Sequence, residues 1–240
     1  MTHKKNSSSV AAVTSAFLQC LEPQCGAQYL VHEVRSECAC GNLLDVRYEW
    51  PDFDPEAAKQ TWAFRAMSRD PRDRSGVWRF RELIPFLPPD APVITLQEGN
   101  TPLLEGPRAA AYAGLDFLAF KHQGFNPTGS FKDNGMTAGA SQAAALGRKL
   151  VACVSTGNTS ASMAAYAAYG GLQAVIFIPA GQIASGKLAQ SLEYGALTIQ
   201  VEANFDATWK LVFQLVEQAG LYLLNSVNPF RVEGQKTIMI

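Results

Sequence analysis

Beyond Leu115 the apolar positions fall into short runs at regular intervals: Leu115 to Lys121, Leu150 to Ser155, Leu172 to Ile178, Ala196 to Val201 and Leu221 to Leu224. Each has the length of a strand. Between them lie alanine-rich or amphipathic stretches of helical length, Asn134 to Leu146, Thr159 to Tyr169, Ser185 to Glu193 and Phe205 to Gln218. Strands alternating with helices predict right-handed βαβ units around a parallel sheet buried on both faces, which places the chain in the α/β class.

Nearer the N-terminus the pattern changes. From Gln19 to Trp50 short alternating stretches, such as Tyr29-Leu30-Val31 and Leu43-Leu44-Asp45-Val46, are separated by Gly26 and Gly41, which predicts small β-hairpins in a separate module. From Pro51 to Pro92 charges and tryptophans mix with Pro85, Pro88, Pro89 and Pro92, the mark of helical pieces and linker. Residues 1–18 read as a disordered tail. Lys4 and Lys5 ahead of Val10 to Leu18 have the look of a secretory signal, but Thr14 and Ser15 break the apolar part and no small-x-small cleavage site follows.

Composition narrows the function classes. The 240 residues are 48% hydrophobic and 17% charged, with 20 basic side chains against 21 acidic ones. A formal charge of -1 leaves no basic field to hold a nucleic-acid backbone or an anionic membrane. No apolar run approaches the roughly 18–20 residues of a spanning helix, so neither nucleic acid nor membrane is an expected partner. Four of the five cysteines lie between Cys20 and Cys40, and Cys153 stands alone in an apolar run as a small core residue. A secreted disulfide scaffold would spread them through the chain, so a reducing cytoplasm is the expected setting.

Three strand-to-helix junctions carry candidate chemistry. In the first, Gly124-Phe125-Asn126-Pro127-Thr128-Gly129-Ser130-Phe131-Lys132-Asp133, a loop of turn residues runs into a helix and places a lysine at its first turn. The positive end of the helix dipole disfavours a cation there. Lys132 is either a surface lysine paired with Asp133 or an amine whose pKa is lowered for nucleophilic or Schiff-base chemistry. The second junction, Ser155-Thr156-Gly157-Asn158-Thr159-Ser160, offers a glycine turn and outward N–H groups at a helix start, an anion site to which Ser155, Thr156 and Thr159 add hydroxyls. Ordinary capping explains one such residue well and five within one turn poorly. The third, Asn225-Ser226-Val227-Asn228-Pro229-Phe230-Arg231, supplies a hydroxyl, two amides and a guanidinium suited to oxyanions, although Asn-Pro is also a common turn.

Taken with Glu98-Gly99-Asn100-Thr101-Pro102-Leu103 and Glu233-Gly234-Gln235-Lys236, these segments resemble threonine synthase, a family of pyridoxal-phosphate enzymes with the tryptophan-synthase β-like fold, from about Leu18 to Ile240. The resemblance implies that Lys132 forms the internal aldimine with pyridoxal 5′-phosphate, that Asn158 hydrogen-bonds the cofactor's 3′-oxygen and that Phe131 packs near its ring. It further implies that Ser155, Thr156, Thr159, Ser226 and Arg231 hold the carboxylate and phosphate of O-phosphohomoserine, which is converted with water to threonine and phosphate. The implied organisation is a zinc-ribbon-like module at 19–50, the start of a large domain at 51–122, a small α/β domain at 123–225 and a return to the large domain at 226–240. Homodimerisation is expected from the family alone.

Departures from the family set the alternatives. The family continues through most of its large domain, with a glycine-rich loop for the cofactor phosphate and a hydroxyl residue facing the pyridine nitrogen, and neither stands in these 240 residues. A truncated product or fragment, inactive by itself, is therefore the alternative to an active threonine synthase, with a related enzyme such as cysteate synthase beside it. Cys20, Cys25, Cys38 and Cys40 suit tetrahedral zinc, although the Cys38-Ala39-Cys40 spacing is tighter than the usual two to four residues. Free thiols in a metal-free ribbon are the alternative. His32 is expected on the surface, and His122 in a packing role.

Overall fold

The computed structural model describes residues 16–50, 52–181 and 185–240. The cysteine-bearing segment forms a three-stranded antiparallel sheet of β1 (Ala16–Cys20), β2 (Gln28–Leu30) and β3 (Leu44–Tyr48), with β1 in the middle. Period-two placement sends Leu18, Cys20, Leu44 and Val46 inward. The expected tail is corrected at its end: residues 16–18 belong to β1, where Leu18 pairs with both Tyr29 and Val46 and is fully buried. The rest of the expected tail lies outside the described residues. The ribbon is not packed on its own, since Leu18, Cys20, Cys38, Leu44 and Val46 share one apolar cluster with Trp78, Ile84, Phe86, Ala138 and Phe230.

The proline-rich stretch contains α1 (Pro55–Ala66) and α2 (Pro71–Arg74), each opened by an aspartate that accepts backbone N–H groups and a proline in the first turn. Next come β4 (Leu103–Glu105), α3 (Pro107–Ala113) and β5 (Ala119–Lys121). The run beginning at Leu115 is a correction. Gly114, at φ 69°, ends α3 in the left-handed conformation, Leu115 is exposed, and the three residues of β5 pair antiparallel with β4 only, outside the parallel sheet.

From Lys132 onward the alternation holds: α4 (Lys132–Ala145), β6 (Leu150–Val154), α5 (Asn158–Gly170), β7 (Gln173–Pro179), α6 (Ser185–Glu193), β8 (Leu197–Val201), α7 (Phe205–Ala219), β9 (Tyr222–Leu223) and α8 (Pro229–Lys236). The four strands form a parallel sheet in the order β8-β7-β6-β9. Its two faces are both covered. Val151 and Cys153 of β6 pack with Met136, Ala140, Met163 and Tyr166, while Ala152 and Val154 pack with Val212, Leu221 and Leu223. The chain winds outward from β6 through β7 to β8 and then returns, placing β9 on the other side of β6. Outside the carboxyl ends of β6 and β9 lies the crevice where open α/β sheets bind ligands. No helix among the described residues is long and apolar enough to cross a membrane.

Candidate cofactor site

All three junctions meet at this switch point. The residues after β6 are Ser155 to Ser160, those after β9 are Asn225 to Arg231, and the lysine loop runs into α4 beside them. Lys132 is the first residue of α4, and no side chain caps that helix. Its Nζ lies 4.1 Å from the centroid of the Phe131 ring, and no hydrogen bond or ion pair to it forms among the described residues. Loss of water, and then the charge of Arg231, hold the amine below the ordinary lysine range. Phe131 itself is about one-third exposed.

Asp133 is not the partner of Lys132. Its carboxylate is fully buried and turned back into the loop, where Oδ2 accepts the Thr128 N–H at 2.7 Å and Oδ1 accepts the Thr128 hydroxyl at 2.5 Å. Oδ1 also accepts the Ser162 hydroxyl of α5 at 2.5 Å. The Thr128 carbonyl accepts from Lys187 Nζ at 3.0 Å. Burial pushes the Asp133 carboxyl above the usual range, against the pull of these hydrogen bonds. Asn126 ties the loop to the Glu98 segment, its Oδ1 accepting the Gly99 N–H at 2.8 Å. Glu98, also fully buried, accepts from Ser75, Thr95, the Leu96 N–H and the Tyr166 hydroxyl.

At the second junction the glycine before α5 supplies no side-chain cap, and Asn158, the first helical residue, is exposed. Asn158 is therefore not a capping residue. Ser155, Thr156 and Thr159 are partly exposed around the same turn, with Ser155 Oγ accepting the Gly157 N–H at 3.2 Å. Ser160 instead turns inward and donates to the Gly157 carbonyl.

The third junction is divided. Its two amides are structural. Asn225 pairs with both the N–H and the carbonyl of Val154, continuing the ladder between β6 and β9, and Asn228 caps α8 by accepting the Arg231 N–H. Ser226 is exposed. Arg231 lies on the first turns of α8 rather than at a strand end, and its side chain is almost fully buried against Gly139 of α4. Nη1 donates to the Leu224 carbonyl at 2.7 Å, whereas Nε and Nη2, both buried, have no partner among the described residues. Burial lowers its pKa to about 10. A buried guanidinium with an edge of free donors suits an anion of the right size.

In the ribbon, the four Sγ atoms of Cys20, Cys25, Cys38 and Cys40 all lie within 4.8 Å of one another. Cys20 and Cys40 approach to 3.5 Å and Cys25 and Cys38 to 3.7 Å. Zinc–sulfur bonds of about 2.3 Å in a tetrahedron put sulfurs about 3.8 Å apart, so the donor set fits that ion. Cys153 is fully buried in the sheet core, as expected of a packing residue. His122 lies edge-on to Phe125, with centroids 5.1 Å apart.

Sequence reasoning missed the roles of Asp133, Ser162, Tyr166 and Lys187. A signal was present, because Ser162 and Tyr166 follow Asn158 at four-residue steps, along one stripe of α5.

Comparison with known proteins assigns the class. Escherichia coli diaminopropionate ammonia lyase in apo form shares this fold with a TM-score of 0.54 at 21% identity, over 60% of this chain and 47% of that one. Maize serine racemase gives 0.51 at 26% identity, over 58% and 43%. Residues 94–240, more than half of the chain, match the family described as Pyridoxal-phosphate dependent enzyme, and the chain belongs to that family. It is 43% identical over 215 residues to the threonine synthase of Methanocaldococcus jannaschii, across 90% of this chain and 51% of that protein. Against the threonine synthase of Methanosarcina acetivorans the values are 44% over 222 residues, 92% and 51%. Against that of Synechocystis sp. they are 52% over 171 residues, 68% and 45%. The chain thus spans about half the length of the curated relatives it matches. A half-buried amine without an anionic partner among the described residues fits a family that works through pyridoxal phosphate.

Proposed function

We propose that the chain is the N-terminal part of a threonine synthase, which turns O-phosphohomoserine and water into threonine and phosphate. The observation that carries the reading is Lys132: an amine of lowered pKa, unpaired among the described residues, at the end of a loop whose Thr128 is held at its N–H, hydroxyl and carbonyl. The substrate rests on the names of the relatives. When bound, pyridoxal phosphate supplies an electron sink. Lys132 would hold it, and the Lys132 amine would carry protons at the α and β carbons of the substrate. Asn158 serves the cofactor's 3′-oxygen and Phe131 packs near its ring. Ser155, Thr156 and Thr159, with the N–H groups opening α5, receive the substrate carboxylate. Ser226 and the free edge of Arg231 serve the phosphate; overall the bond from the γ carbon to the phosphate oxygen breaks, the γ carbon gains a proton and becomes a methyl group, and the β carbon loses a proton and takes the hydroxyl of water.

The module boundaries at residues 50, 122 and 225, a cytoplasmic setting and a homodimer go with this reading. So does one structural zinc on Cys20, Cys25, Cys38 and Cys40, for which metal analysis of protein prepared without chelator is expected to find about one zinc per chain. Finding none removes the metal. The main test is borohydride reduction of the full-length protein loaded with cofactor, followed by peptide mapping. The pyridoxyl label is expected on Lys132, and its recovery on Lys121 or Lys187 overturns the assignment. Lys132→Ala is expected to keep the fold and abolish formation of threonine from O-phosphohomoserine.

A further inference from the structure

Asn158, Ser162 and Tyr166 stand one above another along α5, each step of four residues advancing the helix by about 6 Å. Asn158 is exposed at the switch point, Ser162 donates to Asp133 and Tyr166 donates to Glu98. Asp133 is the residue next to Lys132 on α4. The Ser162 hydroxyl is therefore a direct tie between the helix that presents Asn158 and the helix that presents Lys132. Among the described residues it is the one side-chain hydrogen bond between α4 and α5. Elsewhere these helices meet through small and apolar side chains such as Ala140, Met136, Met163 and Ala164, whose attraction is not directional. A hydrogen bond fixes a direction as well as a distance.

We propose that Ser162 is a positioning residue: through the Asp133 carboxylate it sets where Lys132 stands relative to Asn158, so that both groups meet one cofactor in a single geometry. Three features carry this. Ser162 and Asp133 are both fully buried, so water does not replace the bond. Asp133 Oδ1, which takes Ser162, also takes the Thr128 hydroxyl, and Oδ2 takes the Thr128 N–H, so one carboxylate beside Lys132 holds both the loop and α5. Lys187 of α6 holds the Thr128 carbonyl from the other side. Removing the Ser162 hydroxyl leaves the loop closed on itself but free to shift against α5.

The proposal rests on Lys132 as the attachment point, and the test separates the two. Full-length wild type and Ser162→Ala are loaded with pyridoxal phosphate, reduced with borohydride and mapped. Before reduction, the visible circular dichroism and the cofactor dissociation constant are recorded. Ala143→Gly, at the far end of α4, serves as a control for general loss of stability. Both proteins are expected to carry the label on Lys132. Ser162→Ala is expected to lose at least half of the visible circular dichroism and to bind the cofactor about tenfold more weakly, as for a lost buried hydrogen bond to a charged group. Ala143→Gly is expected to lower the melting temperature and leave both cofactor signals as in wild type. Wild-type circular dichroism and affinity in Ser162→Ala overturn the positioning role. A label on another lysine in wild type overturns the underlying reading instead. If Ser162→Ala does not fold, Ser162→Cys, which fills the same space with a weak donor, is judged by the same two signals.

Discussion

Lys132 stands where water is partly excluded and, among the described residues, no anion is paired with it, so its charged form is disfavoured and costs stability before cofactor binds. The sign of the pH effect follows. A lysine whose folded pKa lies below its unfolded value of about 10.4 binds fewer protons folded than unfolded between those two values. Stability therefore rises with pH across that window, and the penalty is complete below it. In cofactor-free protein Lys132→Met is expected to melt higher than wild type at neutral pH, with the gap closing as pH approaches 10. A gap that stays constant in a pH series of melting curves contradicts this. Arg231 calls for different chemistry. Its unpaired Nε and Nη2 form one edge of a planar fork, which lysine does not reproduce. In the full-length enzyme Arg231→Lys is expected to keep cofactor absorbance while kcat/KM for O-phosphohomoserine falls by about 1.5–3 kcal/mol in transition-state terms. Unchanged kinetics would mark Arg231 as structural.

Between elements, the tightest crossing is that of α4 with α8. A methyl group on Gly234 would overlap the Asn134 carbonyl, and Gly135 and Gly139 of α4 face Gln235, Leu224 and Arg231 at separations too short for a side chain. Gly234→Ala is expected to force the helices apart at a cost of about 1–3 kcal/mol or more, read from a denaturant curve. Much of this level was legible in the sequence. The helix at Ser185–Glu193 matches its expected span, and the strands β6 to β8 agree to within a residue, because alternating apolar runs and glycine stops are local signals. The start of α4 was set two residues late, since Phe131 at its cap offers no side-chain acceptor. β4 and α3 were not foreseen, their Leu103 and Tyr112 being exposed and without period. At the candidate site the lysine and the helix start were readable from residue type and spacing. The burial of Asp133, Glu98 and Arg231 was not, because charged side chains inside a protein are exceptions that only tertiary partners explain.

Across the whole molecule the ribbon and the α/β part share a core, with Phe86 and Trp78 between them and the Phe86 and Phe230 rings 5.1 Å apart. A metal on the four cysteines would therefore stabilise more than the ribbon. Chelation is expected to lower a single cooperative melting transition, with Cys38→Ser doing the same; a separate early transition, with the main one unmoved, would show the ribbon to be energetically independent. The same junction is fastened by Tyr48, whose hydroxyl donates to Glu233 Oε2 at 2.7 Å across 185 residues of chain. Contacts of such separation are slow to form, because a long loop must close before they repay its entropy. During synthesis the ribbon emerges well before α8, and its apolar face stays without its Phe230 partner until α8 has been made. The interval between these events is when the nascent chain is most exposed to aggregation and to proteases, and its length is set by the ribosome rather than by the ribbon's own folding rate.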